Sequence, residues 1–264
     1  MKGMRILKFF IEVNNTREKA VESFPRIREY LNNKGQSVVY NPGDADIIVS
    51  LGGDGTLIET IGKYHKFNIP FLGINCGNLG YLTEIDCGNF EEKLNAVINK
   101  EYRVKEHCSI ECELDEHNVF GLSFNDIYMR NNSMNVMDFD VYVNGRFLSE
   151  YKADGIIIST PVGSTGYSLS CGGAFIDPDA NVIILTMIAP HTIMNRSIVL
   201  NDSSKVEIVI KRTNGNIGLA MDGFKYENFK DGQKLTISKS KNKVRLIEIG
   251  NDSFISRIAK KLNK

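Results

Sequence analysis

Residues 47–56 read Ile-Ile-Val-Ser-Leu-Gly-Gly-Asp-Gly-Thr, and the rest of the chain is organised around them. Four of the first five residues are apolar, with no polar alternation. That pattern suits a strand buried on both faces of a parallel sheet. Three glycines follow, where the backbone can approach a ligand closely or take positive φ, and a helix pattern starts at Thr56. A strand, a glycine turn and a helix N-terminus leave amide N–H groups facing outward, which makes an anion site. Asp54 sets a carboxylate in this phosphate-friendly turn. Its charge repels phosphate unless a metal or a substrate hydroxyl takes it up, so the turn reads as a place where phosphate meets an acid or a base. As a loop residue, Asp54 is expected to tolerate Asn without loss of folding.

Outward from this stretch the pattern alternates. Residues 5–13 begin with a short apolar strand. Asn15 and Glu18 resemble a capping box that opens a helix with Ala20, Val21, Phe24, Ile27 and Leu31 on one face. Pro25 is expected to kink or split that helix, and Gly35 to cap it. A strand is expected at 37–40, a helix at 56–64 and a strand at 70–75. The last of these runs into a second glycine loop, Cys76-Gly77-Asn78-Leu79-Gly80-Tyr81. Asn89 with Glu92 caps a helix to about residue 98. The order β-α-β-β-α-β-α marks an open, mostly parallel, Rossmann-like α/β sheet, in which ligands sit beyond the carboxyl ends of the strands.

The style changes near Lys100. Phe139, Val141 and Val143 alternate, Asn144-Gly145 follows, and residues 146–151 return: a hairpin with a type I′ turn. Further strands are expected at 182–188, 205–211, 217–221, 234–238 and 243–249. The expected organisation is an α/β domain over residues 1–100 and an all-β, sandwich-like domain over 101–249. A closing helix at 252–262, within 250–264, is expected to pack back on the first domain.

Lys plus Arg and Asp plus Glu each total 32 in 264 residues, so no basic surplus invites nucleic acid or an anionic membrane. No apolar run is long enough to span a bilayer and no signal-peptide pattern opens the chain. Five scattered cysteines without Cys-x-x-Cys point to a reduced, cytoplasmic setting. Cys108 and Cys112 lie near His107 and His117, but that spacing fits no zinc frame. His65, His107 and His117 read as surface positions and His191 as a turn residue.

Two further stretches carry chemistry. Residues 154–173 place an acid before a buried strand, then Pro161, a run of Ser, Thr and Gly, Tyr167 and a glycine pair. Hydroxyls and amides in a glycine-permissive loop suit the ribose and adenine edges of a nucleotide. Phe124-Asn125-Asp126 interrupts an apolar stretch with polar groups that need either exposure or a partner.

Taken together, Gly52-Gly53-Asp54-Gly55-Thr56, the loop with Gly73, Asn75, Gly77, Leu79, Gly80 and Tyr81, the pair Asn125-Asp126, and the long motif from Asp154-Gly155 through Ser159-Thr160-Pro161, Gly163-Ser164-Thr165-Gly166-Tyr167 and Ser170 to Gly172-Gly173 resemble the NAD kinases. The pieces run in the family's order from Ile6 to Gly223. The Gly-Gly-Asp-Gly piece is shared with diacylglycerol and sphingosine kinases; the motif from Asp154 separates an NAD kinase from a lipid kinase. The resemblance implies transfer of the terminal phosphoryl of ATP to the 2′-hydroxyl of the adenosine ribose of NAD, with Mg²⁺ or a similar divalent ion, and leaves polyphosphate open as a donor. By the same resemblance Asp54 matches the residue that accepts the hydroxyl proton, and Gly52, Gly53 and Gly55 leave room for phosphates. Asn125 and Asp126 match the pair that holds the dinucleotide, where many members have Glu in place of Asp126. Thr165, Gly166, Tyr167, Ser168 and Ser170 match the adenine and ribose segment. Lys152, Asp154 and Ala189 match positions that reach the dinucleotide of a neighbouring subunit, which implies a homo-oligomer, a homotetramer. Asp222-Gly223 reads as a hairpin turn with a late acid. The rivals are a diacylglycerol-type lipid kinase and a non-catalytic dinucleotide-sensing module. The absence of Gly-x-x-x-x-Gly-Lys-Ser/Thr excludes a P-loop kinase.

Overall fold

A computed structural model describes residues 6–77, 80–115, 118–133, 135–191, 196–212, 215–222, 224–226, 229–250, 255, 256, 258 and 259. The chain divides into two compact units, residues 1–106 with 244–264, and residues 107–243.

The first unit is built from β1 (Lys8–Val13), α1 (Glu18–Asn33), β2 (Ser37–Val39), β3 (Ile47–Gly52), α2 (Asp54–Tyr64), β4 (Phe71–Asn75), β5 (Ile85–Asp86), α3 (Phe90–Ile98) and β6 (Arg103–His107). β2, β1, β3 and β4 lie side by side in that order and run parallel. Every residue of β3 and β4 is buried, as the unbroken apolar runs require of strands covered on both faces. Ile47, Val49, Leu51, Leu72 and Ile74 share one core with Ala20, Ile27 and Leu31 of α1 and Phe90, Leu94 and Val97 of α3. α2 packs against β3 and β4 through Leu57, close to Gly73, where an added Cβ would stand 3.0 Å from its side chain. The chain leaves β1 for β2 on one side and returns to β3 on the other. Ligands of such sheets bind at this reversal, beyond the carboxyl ends of β1 and β3.

Three local features differ from the sequence expectation. Pro25 neither splits nor ends α1: one helix runs through it. The proline lies on the exposed face and Val21 is 46% exposed, so water reaches the face that loses its hydrogen bond. The Asn15–Glu18 box does not form. Arg17 is the N-cap, without a side-chain cap, and Asn14 instead takes the Thr16 N–H (3.0 Å) and hydroxyl (2.7 Å). The three glycines of residues 52–55 have no positive φ; only at Gly52 is the reason space, because a Cβ there would overlap Thr56.

The second unit comprises β7 (Ile110–Leu114), β8 (Asn118–Ser123), β9 (Asp126–Asn131), β10 (Met137–Val143), β11 (Arg146–Ala153), β12 (Gly155–Ser159), the short α4 (Tyr167–Ser170), β13 (Val182–Ile188), β14 (Ile198–Asn201), β15 (Val206–Arg212), β16 (Ile217–Met221), β17 (Phe224–Tyr226) and β18 (Lys234–Lys239). They form two six-stranded sheets, β11-β10-β15-β18-β7-β8 and β14-β13-β12-β9-β16-β17. Inward residues of both sheets, among them Phe139, Ile208 and Ile237 from one and Ile127, Ile156 and Leu185 from the other, make one core. This is a sandwich. The β10–β11 hairpin turns at Asn144 (φ +52°) and Gly145 (φ +74°), as a type I′ turn demands.

The last strand, β19 (Val244–Glu248), does not join either of these sheets. It pairs in parallel with β4, Leu246 opposite Phe71, and stands between β4 and β6 in the first sheet. An apolar strand pattern records burial, not the partner. The closing helix expected at 252–262 falls mostly outside the described residues; Ile255, Ser256, Ile258 and Ala259 are helical.

Candidate active site

In the first unit, β3 delivers its chain at Gly52 and α2 begins two residues later at Asp54. Asp54 therefore heads a helix and is not a loop residue. Gly52 has to be glycine because the Thr56 side chain occupies the place of its Cβ. That packing lets Thr56 Oγ1 accept from the Gly53 N–H (3.3 Å) and from Asn14 Nδ2 (2.8 Å). Asn14, at the end of β1, thus bridges the reversal point of the sheet. At Gly55 the position of a side chain is open space.

The carboxylate of Asp54 is held by the second glycine loop. Oδ2 accepts the Tyr81 N–H at 2.5 Å; Oδ1 accepts the N–H of Leu82, the N–H of Thr83 and the Thr83 hydroxyl, each at 3.2 Å. A side chain at Gly80 would overlap this carboxylate. Oδ1 is fully engaged, whereas Oδ2 keeps a lone pair. The neighbouring strand end is fixed by the Cys76 N–H on the Gly52 carbonyl (2.6 Å) and the Gly77 N–H on Asn75 Oδ1 (3.0 Å). Asn78 and Leu79 lie outside the described residues.

In the second unit, Asn125 and Asp126 stand where β9 begins. The Asn125 carbonyl accepts from the Thr160 N–H (2.9 Å) and Thr160 Oγ1 (3.2 Å), and Gly163 closes on it so tightly that a Cβ would overlap that carbonyl. Asn125 Oδ1 is buried and has no hydrogen-bond partner among the described residues, so it is a spare acceptor for a ligand donor. Asp126 is 8% exposed and takes the Tyr167 N–H. Burial, then the charge of Asp222, push its carboxyl up to about 7. Burial likewise pushes Asp222 up, to about 6. Asp222 is more than a turn residue: at φ +38° it aims its carboxylate at the N–H groups of Phe124 and Asn125, the latter at 3.2 Å. Sequence reading undervalued it because the acid and the amides it holds are nearly 100 residues apart.

The segment 162–170 wraps this centre. Thr165 ends a 3₁₀ turn (Val162–Thr165), its hydroxyl on the Val162 carbonyl at 3.3 Å. Gly166 is the one residue that leaves room for Asn125 Nδ2, 3.0 Å from where its Cβ would stand. Tyr167 packs edge-on against Tyr128 at 5.1 Å, and burial pushes its phenol up, keeping it a hydroxyl donor. Ser168 is fully buried, its hydroxyl paired with Thr186 at 2.9 Å; it braces the segment from inside. Ser170 is exposed.

Lys152, Asp154 and Ala189 come together on an exposed rim of the same unit. The Asp154 N–H bonds the Ile188 carbonyl at 3.0 Å, and the His191 N–H bonds the Lys152 carbonyl at 2.8 Å. Ala189 takes a left-handed φ of +44°.

Two family models match the chain. The ATP-NAD kinase N-terminal domain matches residues 7–102 and the ATP-NAD kinase C-terminal domain matches residues 125–249. An NAD kinase of Lachnospira eligens is 34% identical over 238 residues, covering 84% of this chain and 81% of that protein. One of Caldicellulosiruptor bescii is 32% identical over 260 residues, covering 96% and 98%. Among solved structures, an NAD kinase of Archaeoglobus fulgidus in complex with ATP superposes with a TM-score of 0.78 at 25% identity, covering 97% of this chain and 98% of that one. Yeast NADH kinase complexed with NADH shares the fold, with a TM-score of 0.83 at 22% identity over 98% of this chain and 88% of that one. With both of the family's domains matched in order along one chain, this protein belongs to the NAD kinase family.

Proposed function

We propose that this chain transfers the terminal phosphoryl of ATP to the 2′-hydroxyl of the adenosine ribose of NAD, a phosphotransfer to an alcohol that yields NADP. The observation that carries the reading is the Asp54 carboxylate, fixed by three backbone amides beside the phosphate-friendly start of α2, with one lone pair of Oδ2 uncommitted. Phosphoryl transfer leaves a protein little covalent work: it orients the hydroxyl, takes its proton and surrounds the phosphates with donors. Oδ2 receives the ribose proton as the oxygen attacks phosphorus, and ADP leaves. The open space at Gly55 and the N–H groups of the α2 terminus suit phosphate oxygens.

Asn125, Asp126, Thr165, Gly166, Tyr167 and Ser170 hold the dinucleotide in this reading. The unpartnered Asn125 Oδ1 and the buried Asp126 carboxyl supply acceptors for its N–H and hydroxyl groups. Ser168 shapes that segment from beneath.

Among the described residues no group of three or more His, Cys, Asp or Glu is gathered for a metal. Mg²⁺ in such enzymes is held by one or two carboxylates together with substrate phosphates, so an ion that arrives with ATP would be held through those phosphates, the free lone pair of Asp54 Oδ2 being given to the ribose proton. When bound, the ion offsets phosphate charge. The exposed rim of Lys152, Asp154 and Ala189 supports assembly into a homo-oligomer, a tetramer by family resemblance. The five free cysteines support a cytoplasmic setting, and no helix among the described residues is long and apolar enough to cross a membrane. The two domains proposed from the sequence as 1–100 and 101–249 are drawn here as residues 1–106 with 244–264, which takes in β6 and β19, and residues 107–243.

The test is acceptor and donor profiling of the purified protein with Mg²⁺, offering NAD, NADH or diacylglycerol with ATP or polyphosphate and reading NADP directly. Phosphate on lipid and none on NAD overturns the proposal, and so does tight NAD binding with no turnover from any donor.

A further inference from the structure

The geometry points to Arg17 as the residue that binds the polyphosphate chain of the phosphoryl donor, an assignment that rests on the kinase reading above. Arg17 is the N-cap of α1, just past the carboxyl end of β1, and it is exposed. Its guanidinium reaches over the two glycine loops at the ends of β3 and β4. Nη2 lies 3.6 Å from where a Cβ on Gly53 would stand, and Nη1 occupies the place of a Cβ on Gly77. Among the described residues its side chain makes no ion pair and no hydrogen bond.

Each of these facts is unusual for a structural arginine, and together they select a ligand class. A long cation held over two loops without a carboxylate partner contributes nothing to folding through charge. It stands at the reversal point of the parallel sheet, where ligands bind. Asp54 brings a negative charge to the same strand ends, so an incoming phosphate chain needs a counter-charge supplied by the protein. A planar guanidinium with a fork of donors matches two phosphate oxygens at once. Gly77 is the position whose missing side chain allows the fork to lie there, and Gly53 flanks it at ordinary contact distance. The capping box expected at Asn15 hid this role, because it places Arg17 inside the helix.

Arg17→Met, Arg17→Lys and Gly77→Ala test the assignment. In steady-state kinetics Arg17→Met raises the KM for ATP by roughly ten- to a hundredfold, the worth of a charge-assisted hydrogen bond, with the KM for NAD within about twofold of wild type. Arg17→Lys recovers part of the loss. Gly77→Ala keeps the charge, displaces the fork and also raises the KM for ATP. Calorimetric titration with Mg²⁺-tripolyphosphate reads binding without turnover: wild type binds and Arg17→Met does not. Equal tripolyphosphate binding by both proteins overturns the assignment, as does an ATP KM unchanged in Arg17→Met or a defect confined to NAD. A wild type that binds tripolyphosphate through Arg17 but forms no NADP overturns only the kinase reading. A wild type that forms NADP while Arg17→Met keeps its ATP KM overturns only this assignment.

Discussion

Replacing Asp54 by Asn tests two properties of one side chain. The carboxylate accepts four hydrogen bonds, three on Oδ1 and one on Oδ2. An asparagine keeps one oxygen. If it faces Leu82 and Thr83, its NH₂ meets the Tyr81 N–H, donor against donor, across a 2.5 Å gap. One charge-assisted bond is lost, worth about 1.5–3 kcal/mol. The remaining three fall to neutral strength, roughly half. Partial exposure of the loop discounts both, so the expected destabilisation is about 2–4 kcal/mol. That is within the stability of a folded domain, so the chain stays folded, with its melting temperature lowered by roughly 5–10 °C. Turnover falls by about two to four orders of magnitude, the worth of a positioned base. Amide hydrogen exchange read by mass spectrometry over residues 80–84, thermal unfolding and NADP formation are measured on the same sample. Thr83→Val is the control: it removes one donor to Asp54, costs about 1 kcal/mol and keeps most activity. Wild-type exchange protection over residues 80–84 together with an unchanged melting temperature in Asp54→Asn would refute the anchoring argument. Full activity in that variant removes Asp54 from proton transfer.

Three further outcomes are expected. Asp126 has its carboxyl raised from 3.8 to about 7, so the folded chain keeps a proton that the unfolded chain releases. That contribution is complete below pH 4 and is lost as pH rises through 7; urea unfolding of Asp126→Asn should be less pH-dependent between pH 5 and 8 than wild type by about 2–4 kcal/mol, and parallel profiles contradict the assigned shift. Gly163→Ala drives a methyl into the Asn125 carbonyl; it should lose about 3 kcal/mol or more in denaturant titration, and a neutral result would mean that the turn is looser than described. Burial, reinforced by Cys87, pushes the Cys76 thiol up to about 12, so at pH 8 iodoacetamide should leave it unmodified in folded protein and label it after unfolding, as followed by peptide mass spectrometry.

The parts of the fold legible in sequence are those written by burial and turn chemistry. The apolar run of β3 announced a strand covered on both faces, and Asn144-Gly145 announced its hairpin, because each pattern has one physical cause. Partnership is a different matter. β19 has the composition of any buried strand, and nothing in its residues says that it pairs with β4. β5 has two residues, Ile85 and Asp86, too few to show a period. At the site, the residue types were legible and their anchoring was not. Asp54 is positioned by main-chain N–H groups of Tyr81, Leu82 and Thr83, which every non-proline residue carries and no sequence advertises. Asp222 serves the Phe124–Asn125 amides across a long chain separation, so local reading saw only a turn.

The place of β19 has a consequence for the order of events during synthesis. The sheet that carries Asp54 is begun by strands that leave the ribosome before the sandwich does, yet its position between β4 and β6 stays vacant until residues 244–248 emerge. The intervening sandwich is continuous in sequence and can close as soon as β18 is out. The unit begun before the sandwich is therefore completed after it, and a chain stopped after residue 243 would carry a finished second unit and a first sheet with a missing stave.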